Sequence, residues 1–93
     1  RTRAVRLRPA VASFYDDYGL PVACGGVLGR NQIGVAHKTL RCGTRIEIHY
    51  RGRAIVAKVI DRGPYISGRE FDLTGAAARA LRFDGVGTIW VSR

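Results

Sequence analysis

The stretch Thr44-Arg45-Ile46-Glu47-Ile48-His49-Tyr50-Arg51-Gly52 alternates with period two, and its reading decides the fold class. Ile46, Ile48 and Tyr50 fall on one face of an extended chain, and Arg45, Glu47 and His49 on the other. Arg51-Gly52 supplies a tight turn, and Ala54–Ile60 returns as a second strand. The return run is apolar on both faces except at Lys58, which predicts a strand more buried than its partner. Asp61-Arg62-Gly63-Pro64 then ends it, with Gly63 free to take a positive φ.

Working outward, the remaining elements are short. Val11–Tyr15 and Val35–His37 read as strands, with a loop rich in glycine and proline over residues 16–34 between them. Arg1–Arg8 alternates weakly, so residues 1–10 are expected to be a basic leader or an edge strand, with one domain over residues 11–93. Phe71–Leu73 is a short extended piece. Thr74 caps a helix over Gly75–Arg82, where Ala76, Ala77, Ala78, Ala80 and Leu81 are good helix formers. Thr88–Val91, with Trp90, is a last strand. About six strands and one helix predict a mainly β fold. A small closed barrel is favoured over a sandwich because closure removes exposed edges.

Composition bounds what such a domain can do. The 93 residues are enough for one domain. A chain of this length buries roughly 60–68% of its unfolded surface, so a staple is useful. No apolar run reaches the ~20 residues of a membrane helix. Lys and Arg number 16 against 7 Asp and Glu, a net charge of +9. Nucleic acid is not favoured as the partner, because the cations are scattered single arginines and no nucleic-acid-binding motif is present. A basic surface equally suits an anionic cell wall. No Met is present and the chain opens at Arg1, so the expectation is a piece of an exported protein that acts outside the cytoplasm. A monomer is expected.

Cys24 and Cys42 are the two cysteines. With only His37 and His49 to complete a ligand set, and neither at zinc-finger spacing, no metal site and no cofactor are expected. An exported chain with a small core favours a disulfide over two buried free thiols. The acids are few enough to weigh singly. Asp61 ends a strand at a Gly-Pro turn, and Asp72 stands between Phe71 and Leu73. A carboxylate among apolar neighbours needs partners. Each also has an ordinary structural use, Asp61 within its own turn and Asp72 at the start of the helix.

In order along the chain stand Ala36-His37-Lys38-Thr39-Leu40, Gly43-Thr44, Val59-Ile60-Asp61-Arg62-Gly63-Pro64-Tyr65, Gly68-Arg69 and Phe71-Asp72-Leu73-Thr74-Gly75-Ala76-Ala77-Ala78. Together they resemble the double-psi β-barrel domain of the rare lipoprotein A (RlpA) family, over roughly residues 11–92. Ala12–Tyr15, Ala23-Cys24-Gly25 and Phe71–Thr74 are also similar to expansins and small barrel cellulases.

The resemblance implies a six-stranded barrel with a polysaccharide groove, and a lytic transglycosylase that cuts peptidoglycan. It puts Asp61 and His37 on the family's active-site positions, and Asp72 on the aspartate of the expansin-like groove. Such an enzyme needs no water. One acid protonates the glycosidic oxygen, and its carboxylate then takes the proton of the muramic acid's own hydroxyl, leaving an anhydro sugar. The expected roles are Asp61 as general acid and base, His37 as its orienter or as a hydrogen-bond partner of the sugar, and Asp72 as stabiliser of the oxocarbenium-like charge. Tyr15, Tyr65 and Arg62 are expected to contact sugar. One departure is visible. Active members carry a glutamate after a Thr-Ala-Ser-Gly-like segment, whereas Ala23–Leu28 here has none, and no acid lies between Asp17 and Glu47. The resemblance therefore also implies a second reading, a non-catalytic expansin-like module that binds or loosens wall glycan.

Overall fold

A computed structural model of the chain describes residues 6–93. The weakly alternating residues 1–5 of the expected leader lie outside the described residues. Six strands, β1 (Arg8–Tyr15), β2 (Gly34–Ala36), β3 (Arg45–Tyr50), β4 (Arg53–Asp61), β5 (Phe71–Thr74) and β6 (Gly87–Val91), close into a barrel. Their order around it is β1-β5-β2-β4-β3-β6. The pairs β1–β5 and β2–β4 are parallel and the others antiparallel. A helix, α1 (Gly75–Leu81), follows β5 directly. The barrel and helix match the sequence expectation, although β1 begins three residues before Val11.

The β3–β4 hairpin forms because Arg51 and Gly52 both adopt positive φ, 47° and 80°. That is the primed turn whose twist suits two antiparallel strands. Alternation then divides β3 as expected, with Ile46 and Ile48 inside. One expectation fails here. The return strand is no more buried than its partner: only Ala57 and Val59 are fully inside, while Ala54, Val56 and Lys58 face solvent. An apolar run looks two-sided in sequence, but among the described residues the outward face of this strand, at Ala54, Val56 and Lys58, is left exposed.

Ile46, Ile48, Val59, Phe71, Leu73, Leu81, Ile89 and Val91 form the centre of the core. Each such buried side chain is worth about 1.5–3 kcal/mol. Helix α1 adds Ala77, Ala78 and Leu81 to it. Thr74 begins the helix as expected, and its Oγ1 accepts from the Ala77 N–H at 3.2 Å. The same hydroxyl donates to the Gln32 carbonyl at 2.6 Å and accepts from the Gly34 N–H at 3.1 Å. One buried side chain thus ties the helix start, the long loop and β2 together. A Cβ at Gly75, the first helical position, would overlap the Tyr18 hydroxyl, so any larger residue there would displace that side chain. Arg82 closes the helix in the left-handed conformation, with its N–H on the Ala78 and Arg79 carbonyls.

Candidate active site

The site grows from strand register. Ser13 on β1 stands opposite Asp72 on β5, Asp72 opposite Ala36 on β2, and Ala36 opposite Asp61 on β4. Residues directly opposite one another project from the same face of a sheet. The four therefore form a row across adjacent strands. Two strand spacings separate the aspartate backbones, roughly 10 Å. Ala36 between them contributes only a methyl group, which is buried and lines the same cavity.

Asp61 reaches this row through an irregularity. Val35 faces Val59, and then the register shifts so that Ala36 faces Asp61 instead of Ile60. Simple alternation would send Asp61 to the interior face that Val59 occupies. The extra residue turns it outward, a common use of a bulge beside a site.

The row floors a cavity of about 340 Å³ lined by Ser13, Tyr15, Asp17, Asp61, Arg69 and Asp72 among others. Leu20, Pro21, Tyr65 and Ile66 also line it, and they are exposed. The Asp61 carboxyl is half-buried and accepts two backbone N–H groups on Oδ1, from Ala23 at 2.8 Å and Arg62 at 2.9 Å. It is therefore oriented without being sealed from the cleft. The expected structural use within its own turn is present, through Arg62, and the Ala23 donor comes from far along the chain.

Asp72 does not cap the helix; Thr74 does. Its carboxyl instead accepts from Ser13 Oγ at 3.0 Å. Burial pushes the Asp72 pKa up. The Ser13 bond and the Arg69 charge oppose that rise, and Asp17 and Asp61 reinforce it. Among the described residues the buried Tyr15 hydroxyl has no hydrogen-bond partner. Burial first, and then the Asp61 charge, push its pKa up. It is thus a neutral donor beside both carboxyls.

His37 is placed differently. It does not line the Asp61–Asp72 cavity but a neighbouring depression of about 660 Å³, with Lys38, Thr39, Arg69 and Glu70. Arg69 borders both. His37 Nδ1 accepts from the N–H groups of Thr39 and Leu40, each at 3.1 Å, so Nε2 carries the proton and faces Glu70 Oε2 at 3.2 Å. Its ring rests on Phe71, with centroids 4.8 Å apart. Only its backbone N–H reaches Asp61, donating to the carbonyl at 3.1 Å. Glu70 is held below the usual carboxylate range, first by its hydrogen bond from Arg8 and also by His37.

Arg62 also has a defined task. Its Nη1 donates to the carbonyls of His37 at 3.1 Å and Leu40 at 2.6 Å, and Nη2 lies 3.6 Å from Cys42 Sγ. Tyr65 is the most exposed aromatic, at 76%. Cys24 and Cys42 are bonded, as expected. Sequence reasoning missed Ser13, Asp17, Arg69 and Glu70. Only the parallel register to Phe71-Asp72 could have found Ser13. Glu70 finds Arg8 from 62 residues away, which leaves no local signal.

The chain matches the family model described as lytic transglycolase over residues 9–92. It is 36% identical over 90 residues to a probable endolytic peptidoglycan transglycosylase RlpA of Synechocystis, covering 90% of this chain and 28% of that protein. It is 40% identical over 81 residues to the Aquifex aeolicus protein of the same description, covering 81% of this chain and 36% of the other. The chain thus spans about a third or less of the length of these relatives. Among solved structures, apo Clavibacter michiganensis expansin superposes with a TM-score of 0.72 at 21% identity, over 92% of this chain and 49% of the other. The Streptomyces papain inhibitor superposes with a TM-score of 0.65 at 24% identity, over 95% and 96%. These two likenesses speak for the fold. With the ordered motifs now seated on one barrel, the chain belongs to the lytic transglycolase family, as an RlpA-like double-psi β-barrel domain.

Proposed function

We propose that this domain cleaves the glycan strands of peptidoglycan as a lytic transglycosylase, outside the cytoplasm, with Asp61 as general acid and base. The observation that carries the reading is the pair of half-buried carboxyls, Asp61 and Asp72, set across one open cleft in a member of this family. Protonated Asp61 gives its proton to the glycosidic oxygen as the bond to the muramic acid breaks. Its carboxylate then takes the proton of the sugar's own hydroxyl while that oxygen closes on the cationic carbon. No water enters, so a second carboxyl is not required as a base. Asp72 faces the developing charge from the other side of Ala36. Asp17 brings a third carboxyl to the cleft, in a chain that lacks the glutamate of active relatives.

His37 acts through the backbone, by fixing the turn whose N–H holds the Asp61 carbonyl. Lys38 and Arg69 line the neighbouring depression, where the next part of an anionic strand fits. The exposed Tyr65 ring offers a face to sugar. Arg62 positions the loop that carries His37.

The burial that pushes Asp72 up favours a second division of labour over the same pair, in which Asp72 carries the proton and the Asp61 charge meets the cation. The pH–rate profile of Asp72→Asn separates the two. A general acid must be protonated, so the fall in rate toward high pH reports its titration. Retention of that alkaline limb in Asp72→Asn assigns the proton to Asp61, and its loss assigns it to Asp72. Binding of sacculi without any new product would instead support the non-catalytic, expansin-like reading.

A further inference from the structure

The end of β4 that carries Asp61 is held between two segments. On one side Cys24 N–H donates to the Ile60 carbonyl at 3.0 Å, and Ala23 N–H to Asp61 Oδ1 at 2.8 Å. On the other side Gly43 N–H donates to the Val59 carbonyl at 2.8 Å, and His37 N–H to the Asp61 carbonyl at 3.1 Å. The first segment belongs to the long loop after β1, and the second to the connection after β2. The Cys24–Cys42 disulfide joins them, with Cα atoms 5.7 Å apart. Arg62 completes the enclosure, since its guanidinium touches Cys42 Sγ and the carbonyls of His37 and Leu40. One cysteine is thus adjacent to the residue whose N–H orients the Asp61 carboxyl, and the other to Gly43, which holds Val59.

We propose that the Cys24–Cys42 disulfide is a positioning device for Asp61: it keeps the Ala23 N–H on the carboxyl, and so couples the activity of the site to the oxidation state of the bridge. A disulfide that acted only as a general staple would raise the stability of every part of the barrel together. This bridge instead lies at one end of one strand, beside the residue that does the chemistry. Without it, the segment around Ala23 keeps the turn closed by Val22 and Gly26 but loses its covalent tie to the far side of β4. Asp61 then retains the Arg62 N–H alone and its carboxyl turns more freely. The barrel core, built from strands outside this segment, stays assembled.

The inference rests on Asp61 being the reacting carboxyl, and its test separates the two ideas. Dithiothreitol reduces the bridge: it gives up two electrons and two protons to make two thiols, and closes to its own cyclic disulfide. Amide hydrogen exchange and turnover of soluble glycan strands are then measured on the oxidised, reduced and reoxidised protein, at a temperature where circular dichroism shows the reduced form folded. In the reduced form the Ala23 amide should lose nearly all protection, while amides of the β2–β5 ladder stay strongly protected. The kcat should fall at least tenfold with a smaller change in KM, and reoxidation should restore both. The Cys24→Ala, Cys42→Ala double variant should behave as the reduced protein does. The proposal is overturned if Ala23 keeps its protection, or loses it only in step with the ladder amides, or if kcat is unchanged on reduction. If the oxidised protein releases no product at all, the transglycosylase reading fails, and the Ala23 exchange still decides whether the bridge holds the carboxyl.

Discussion

At the scale of single residues, the candidate site was partly legible because acids are scarce. Asp72 stands between Phe71 and Leu73, Asp61 ends an apolar strand, and the structure brings both to one cleft. Their partners were not legible. Ser13 meets Asp72 only through a parallel pairing, and Glu70 meets Arg8 across most of the chain. The place of His37 was not legible either, since its ring faces Glu70 while its backbone N–H donates to the Asp61 carbonyl. The titration of Asp72 gives a prediction with a definite sign. Its folded pKa lies above that of the unfolded chain, about 3.9, so the fold binds this proton more tightly than the unfolded state does. That stabilisation is present below the unfolded value and is lost as pH rises through the folded one. Asp72→Asn should therefore raise the melting temperature at pH 7 and have little effect near pH 3. Glu70 runs the other way. Its contribution is present above about pH 4.3 and fades as pH falls through its lowered value. Glu70→Gln should lower the melting temperature at pH 7, with the deficit shrinking in acid. Thermal melts across this range check both.

At the scale of elements, alternation and turn chemistry were enough to place the hairpin, the helix and its Thr74 cap. What alternation could not show was the shift between β2 and β4. Asp61 reaches the cleft because Ile60 is an extra residue in that pairing, a property of two strands together. The error over the burial of β4 has the same origin, for exposure depends on what covers a face. Thr74 carries the clearest prediction at this scale. Its hydroxyl makes three hydrogen bonds in full burial. Thr74→Ala removes a helix cap worth about 1 kcal/mol and strands a buried N–H and a carbonyl at about 1–3 kcal/mol more. Denaturant unfolding should show a loss of roughly 2–4 kcal/mol, and Thr74→Ser, which keeps the hydroxyl, a loss near 1 kcal/mol.

At the scale of the whole molecule, a small barrel combines a modest core with one covalent link. Closing a loop of this length stabilises by about 3 kcal/mol in the chain-entropy account. Domains of this size have roughly 5–14 kcal/mol in total, so reduction should lower the denaturant midpoint without unfolding the barrel in water. A midpoint that does not move would show that the bridge adds no global stability. The net charge of +9 suits a polyanion, and Arg69 and Lys38 line the depression beside the cleft. In the proposed reaction this cleft breaks a glycosidic bond by intramolecular closure. The most direct measurement is mass analysis of the soluble products from purified sacculi, treated with the wild-type domain and with Asp61→Asn. Release of anhydro-ended muropeptides or glycan fragments by the wild type, and none by a folded Asp61→Asn, is the predicted result. Binding to sacculi with no new product from the wild type, or products with ordinary reducing ends, would contradict it.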